Sequence, residues 1–279
     1  MIGEPVPPDR PPRHGALRVA LVVWFLVAGT AVAVVVAVAD SHADRPQLIA
    51  QSPTVSGPAP DLGPPPLAVP LSAARQRELA NSVVRVTGTA CQEIQQGSGF
   101  VVHPGYVITD AHVVAGERDT MVVDHGGHEL RATVVRFDPV LDLALLRVDN
   151  GDSAGLPSLA LAAPHAPTDL AVFGHPEGGS LRIAAARLVA SGILDAAGRD
   201  IYGHTAPGTR RILELAARLA PGDSGAPIVN TSGRVVGVAF AIDPAGRPVA
   251  YALSAVELAK IDSPPADFTP VSTGACVSL

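Results

Sequence analysis

The sequence predicts an all-β protein, two six-stranded antiparallel barrels behind one N-terminal transmembrane helix, on three observations. From residue 82 onward, short alternating segments rich in valine, isoleucine and threonine recur between turns marked by glycine and proline. They form two groups of about six, parted by a Pro/Ala-rich connection over residues 151–167, and two such groups suggest two packed barrels. Ahead of both lies a run from residue 19 to 39 without a charged side chain, long enough as a helix to cross about 30 Å of hydrocarbon.

Taken in order, residues 1–18 are a polar, Pro-rich tail with Arg10, Arg13 and Arg18 ahead of the apolar run. Those charges predict a cytoplasmic N-terminus and an extracytoplasmic chain after Asp40, with Trp24 near the inner interface. Ala37-Val38-Ala39 before Asp40 also fits a cleavage site, so secretion after a cut near Ala39 is the alternative. The run exceeds the core of about 7–15 residues usual in a signal peptide, which favours the anchor. Residues 40–71 hold Pro46, Pro53, Pro58, Pro60, Pro64, Pro65, Pro66 and Pro70 and predict an extended spacer. Residues 72–279 are the folded domain.

Within it, a short amphipathic segment from Ser72 leads into strands predicted over residues 82–89, 99–102, 106–109, 121–123, 130–137 and 143–148. The second set is predicted over 170–173, within 181–194, and over 212–215, 228–229, 235–242 and 249–253; only 254–261 has a helical pattern. The net charge of -6, with Lys260 the single lysine, leaves no basic stripe for nucleic acid. Cys91 and Cys276 are the two cysteines; two buried thiols would be the plain reading, and export favours a disulfide between them.

Three sites carry chemistry. Pro221-Gly222-Asp223-Ser224-Gly225 is a tight bend feeding the apolar Ile228-Val229, able to aim a hydroxyl and backbone N–H groups together, as acyl transfer requires. His112, in Thr109-Asp110-Ala111-His112-Val113-Val114, sits where a strand ends. Asp142 opens the apolar stretch Leu143-Ala144-Leu145-Leu146, a partly buried position that needs a hydrogen-bond partner such as a histidine N–H; Asp138, beside Pro139, is a turn former. His125 and His128 flank a Gly-Gly loop without the carboxylates or cysteines of a zinc site, so no metal and no cofactor is expected.

The order His, Asp, Ser in these motifs resembles the trypsin-like serine proteases of chymotrypsin-like fold, and most closely the membrane-anchored acid-resistance type of actinobacteria. The closer resemblance includes Gly97-Ser98-Gly99-Phe100-Val101-Val102, Asp200-Ile201-Tyr202-Gly203 and Thr273-Gly274-Ala275-Cys276-Val277-Ser278, over roughly residues 80 to 279. It implies Ser224 as nucleophile, His112 as base, Asp142 as its orienting carboxylate, and the N–H groups of Gly222 and Ser224 as oxyanion hole. It implies a Cys91–Cys276 disulfide, a protein or peptide substrate, and action on cell-envelope proteins under stress. By the same analogy residues 238–241 wall the primary pocket, which is floored near Arg218. Phe240 and its small neighbours favour an apolar pocket, the alternatives being an Arg218 that points away or one that favours acidic or polar side chains.

Two departures matter. The family has glycine where this chain has Ala226, which would strain the bend if φ there were positive, and the anchored relatives have several spans where this chain has room for one. The rival readings are a non-catalytic binding or sensing module on the same barrels, and an esterase using the same triad. A histidine base also predicts weaker hydrolysis in acid, since protonation blocks it.

Overall fold

The computed structural model describes residues 21–27, 30–36, 47–49, 60–149, 155–195, 199–206, 208–265 and 269–277. The tail over 1–18 and most of residues 37–59 lie outside them. The chain divides into two compact units, Met1–Arg45 and Pro46–Leu279.

In the first unit, β1 (Leu21–Val27) pairs antiparallel with β2 (Thr30–Val36). The sequence predicts one helix over 19–39, and the residues described within it are paired strands. The segment is valine-rich, and β-branched side chains favour a pleated ribbon over a helix where no bilayer constrains the chain. Among the described residues no helix is long and apolar enough to cross a membrane.

Within the predicted spacer over 40–71, several described residues take part in the fold. A short strand, β3 (Gln47–Ile49), runs parallel to Ile94–Gln96 of the later strand β5. Leu62, Val69 and Leu71 pack against the core. Proline blocks regular structure but not burial of the apolar residues between prolines. Helix α1 (Ala73–Ala80) follows, capped by the Ser72 hydroxyl, which accepts from Arg75 N at 3.3 Å.

The first barrel consists of β4 (Val83–Ala90), β5 (Glu93–His103), β6 (Tyr106–Thr109), β7 (Met121–Val123), β8 (Glu129–Asp138) and β9 (Leu143–Val148). Its strands run in the order β5-β4-β7-β8-β9-β6, and β5 pairs again with β6 to close the ring. The second is a closed barrel of β10 (Thr168–Gly174), β11 (Arg182–Asp195), β12 (Thr209–Ala217), β13 (Pro227–Val229), β14 (Val235–Ile242) and β15 (Val249–Ser254), in the order β10-β11-β12-β15-β14-β13. Every strand predicted from residue 82 onward is present, several with longer ends.

Each barrel encloses its own valine- and leucine-rich core, with Val84, Val101 and Leu146 in the first and Leu170, Leu188 and Leu215 in the second. A third cluster, with Phe100, Ile108 and Leu143 beside Phe173, Phe240 and Leu253, draws on both barrels and joins them. His112 lies just after β6, Asp142 just before β9, and Ser224 between β12 and β13. Two short helices complete the domain, α2 (Ala111–Val114) after β6 and α3 (Ala255–Leu258) within the predicted 254–261 segment.

The tail is pinned by a Cys91–Cys276 disulfide with Cα atoms 6.1 Å apart. Cys91 and Gln92, at φ 49° and 70°, are the two-residue turn of the β4–β5 hairpin, a left-handed pair suited to strand twist.

Candidate active site

His112 lies in α2, a single turn with all four residues buried, entered directly from β6. Its imidazole Nδ1 stands 2.8 Å from Asp142 Oδ2 and 3.0 Å from Oδ1, and its backbone N–H donates to Oδ1 at 2.9 Å. Both side chains are buried. A carboxylate has only acceptors, so Nδ1 carries the ring proton. Nε2 is then the nitrogen with a lone pair, and it is buried without a hydrogen-bond partner.

Asp142 reaches this position through an unusual backbone. Its φ is 61°, in the left-handed region that aspartate tolerates better than most residues. The turn before it is built by Asp138, whose Oδ1 accepts from Val140 N at 2.9 Å and Leu141 N at 2.8 Å. Asp138 is the turn former the sequence predicts, and it delivers Asp142 to the seam.

Ser224 sits between β12 and β13, 2% exposed. The preceding residues form a type II turn: Asp223 N donates to Ala220 O at 3.0 Å, Pro221 takes the second place, and Gly222 the third at φ 92°. A Cβ on Gly222 would lie 2.5 Å from His175 O, so backbone angle and space both exclude any other residue. The bend is tied down on every side. Pro221 O accepts from Glu177 N at 2.7 Å, and because C=O and N–H of a trans peptide point opposite ways, this aims Gly222 N–H away from Glu177. Ser98 Oγ donates to Gly222 O at 2.7 Å and accepts from His175 N at 2.8 Å. Ser98 N donates to Ser224 O at 2.7 Å, and Gly225 N donates to Asp110 Oδ2 at 2.8 Å.

Asp223 turns inward, 3% exposed, where Arg182 Nη2 reaches its Oδ2 at 2.7 Å and Ala220 N donates to the same oxygen at 2.9 Å. Burial nevertheless holds the Asp223 carboxyl above its usual range, against the pull of Arg182. Burial likewise pushes Asp110 well up, with Asp142 adding repulsion, and lowers His175.

The structure therefore brings His112 and Asp142 into contact and binds the Ser224 bend to the His112 turn through Ser98 and Asp110. Ala226 is fully buried and is not among the residues with positive φ, so its methyl fits without backbone strain. The apolar wall predicted at 238–241 is buried, and Arg210 covers the Phe240 ring at 5.5 Å from its centroid. His128 pairs with Asp124 at 2.9 Å on the surface. Ser98, Asp110, His175 and Arg182 were not identified as site residues by sequence reasoning. Ser98 lies in the Gly97–Val102 motif and Asp110 in the Thr109–Val114 motif, but nothing local marks what they hold.

A family model described as trypsin-like peptidase domain matches residues 97–238. Serine protease Rv3671c of Mycobacterium tuberculosis H37Rv is 40% identical over 205 residues, 71% of this chain and 49% of that protein. A probable periplasmic serine endoprotease, DegP-like, of Chlamydia pneumoniae is 34% identical over 155 residues, 54% of this chain and 30% of that protein. Among solved structures, the Rv3671c protease in its active form superposes with a TM-score of 0.69 at 34% identity, covering 81% of this chain and 100% of that one. The HtrA-type protease AlgW with a tripeptide gives 0.58 at 25% identity, covering 67% of this chain and 62% of that one. The chain thus spans about half the length, or less, of the whole relatives it matches.

Proposed function

Because this chain belongs to the trypsin-like peptidase domain family, we propose that it is an extracytoplasmic, membrane-anchored serine endopeptidase acting on cell-envelope proteins under stress. The observation that carries the reading is the His112 imidazole, fixed through Nδ1 by Asp142 with Nε2 left to take a proton. Ser224 Oγ attacks the scissile carbonyl while its proton passes to His112 Nε2, and the charge on the former carbonyl oxygen is met by the N–H groups of Gly222 and Ser224. Collapse breaks the C–N bond, Nε2 returns the proton to the leaving amine, and an acyl ester remains on Ser224. Water then attacks that ester with His112 again as base, releasing the acid. Asp142 holds the tautomer and stabilises the imidazolium.

A peptide substrate is supported by the tripeptide in the AlgW structure, and an extracytoplasmic setting by the periplasmic name of the Chlamydia relative. Anchoring rests on residues 19–39 and the arginines before them. A two-stranded ribbon would leave its outer backbone groups unpaired in hydrocarbon, so insertion requires this segment as a helix.

The test is fluorophosphonate labelling of the full-length chain, read by intact mass beside Ser224→Ala and His112→Ala, followed by peptide and ester substrates. One adduct on the parent and none on either variant, with peptide cleavage, is expected. No adduct on the folded parent would overturn the reading in favour of a binding module, and ester turnover without peptide cleavage would favour an esterase. Recovery in the soluble fraction, with a new N-terminus at Asp40, would overturn the anchor.

A further inference from the structure

Asp110 is a second carboxyl at the centre of the site, and the acyl transfer proposed above gives it no role. It is 0% exposed. It stands at the residue before α2, where an aspartate ordinarily caps the helix, yet its side chain makes no capping bond. Oδ2 instead accepts from the Gly225 N–H, 115 positions away, which also donates to Ala239 O, each at 2.8 Å, and Oδ1 is buried without a hydrogen-bond partner. The side chain has left its local role to hold the residue that follows the nucleophile.

Its neighbours set its charge. Asp110, His112 and Asp142 each place an acid–base atom within 4.8 Å of the others. Two carboxylates that close do not both ionise in a buried site. Asp142 receives the His112 backbone N–H and Nδ1–H, while Asp110 receives only the Gly225 N–H, which it shares with Ala239 O. The cation facing Asp110 from the other barrel is Arg210 on β12, which offsets only part of the penalty. Burial and Asp142 together outweigh Arg210 and the Gly225 amide, so the carboxyl is held protonated well above the usual carboxylate range.

We propose that Asp110 is a positioning residue for acyl transfer: as a neutral acid it ties the nucleophile bend to the histidine turn, and its ionisation disables the site from the alkaline side. An ionised Asp110 would be repelled by the Asp142 carboxylate, and the bend that Gly225 ties to it would be drawn away from the histidine turn. The proposal rests on the serine-hydrolase reading.

The experiment measures the rate of fluorophosphonate labelling of the full-length chain from about pH 5 to about pH 10 for the parent, Asp110→Asn and Asp110→Ala. Alongside it, the infrared difference between parent and Asp110→Asn follows the carbonyl band of a protonated carboxylic acid, whether or not the protein is active. The parent is expected to lose labelling on the alkaline side over the interval in which that band disappears. Asp110→Asn keeps an acceptor for Gly225 N–H and is expected to label within about threefold of the parent near neutrality while lacking the alkaline fall. Asp110→Ala is expected to label about tenfold or more slowly throughout. An alkaline fall unchanged in Asp110→Asn, or no acid band assignable to Asp110, overturns the proposal, and the Asn variant carries the test if the Ala variant fails to fold. A parent that takes no adduct at any pH overturns the serine-hydrolase reading and this proposal with it. A labelled parent whose alkaline limb survives in Asp110→Asn overturns the proposal alone.

Discussion

Arg182 holds Asp223 by an ion pair of 2.7 Å that joins the first residue of β11 to the bend carrying Ser224. Asp223 is buried while Arg182 keeps 42% of its side chain exposed, so the arginine brings the charge in from solvent along its own stem. Removing Arg182 leaves an uncompensated carboxylate next to Ser224, a change that costs far more than the pair itself contributes.

Arg182→Met is therefore expected to slow fluorophosphonate labelling by about tenfold or more, with a smaller loss in thermal stability. Adding Asp223→Asn to Arg182→Met should recover part of the loss, because the stranded charge is gone. Additive losses in the double-mutant cycle would show that the two residues act independently.

Ser98 bridges the Gly222 turn and the segment at His175, donating to Gly222 O and accepting from His175 N. Ser98→Ala leaves both partners buried and unpaired, at about 1–3 kcal/mol each. Peptide hydrolysis should fall by about 10- to 100-fold in kcat with little change in KM, since the turn contacts the transition state rather than the bound substrate. An unchanged kcat would place the control of Gly222 elsewhere.

Glu117 gives a pH dependence of stability with a definite sign. Burial raises its carboxyl from the ordinary 4.5 to about 8, with Thr120 Oγ1 donating to Oε2 at 2.7 Å. A group whose folded pKa is raised contributes stability that is complete below the unfolded value and is lost as pH rises through the folded one. Stability should therefore fall between about pH 4.5 and about pH 8. Asp110 and Asp223 act in the same direction, and His175, whose pKa burial lowers, acts in the opposite direction. In Glu117→Gln, melting temperatures measured across this range should fall less steeply than in the parent. An identical slope would mean that Glu117 is ionised in the folded protein.

Reduction of the Cys91–Cys276 bridge frees the C-terminal tail from the loop after α2, where Gly116 N donates to Thr273 O at 3.1 Å and Tyr202 Oη to the same carbonyl at 3.1 Å. Opening a bridge with a sequence separation of 185 should cost about 2–5 kcal/mol. Urea denaturation with and without reductant measures it. A midpoint unmoved by reductant would mean that the tail's hydrogen bonds suffice.

The sequence by itself determined the barrels, because alternation along a strand is a local property: burial of Val84, Val86, Val101 and Val107 follows from their neighbours. It also singled out His112, Asp142 and Ser224, since each stands in a short motif at the end of a strand. Local pattern leaves residues 21–36 open, since apolarity alone does not choose between helix and ribbon, and it does not reveal that Leu62 and Val69 pack on a core that only the folded domain creates. The supports of the site were decided by tertiary structure. Ser98 meets Gly222 across 124 positions, Asp110 meets Gly225 across 115, and Arg182 meets Asp223 across 41. A buried charge or unpaired amide must find its partner in space, and that partner is fixed by how the two barrels close against each other rather than by anything adjacent in the chain.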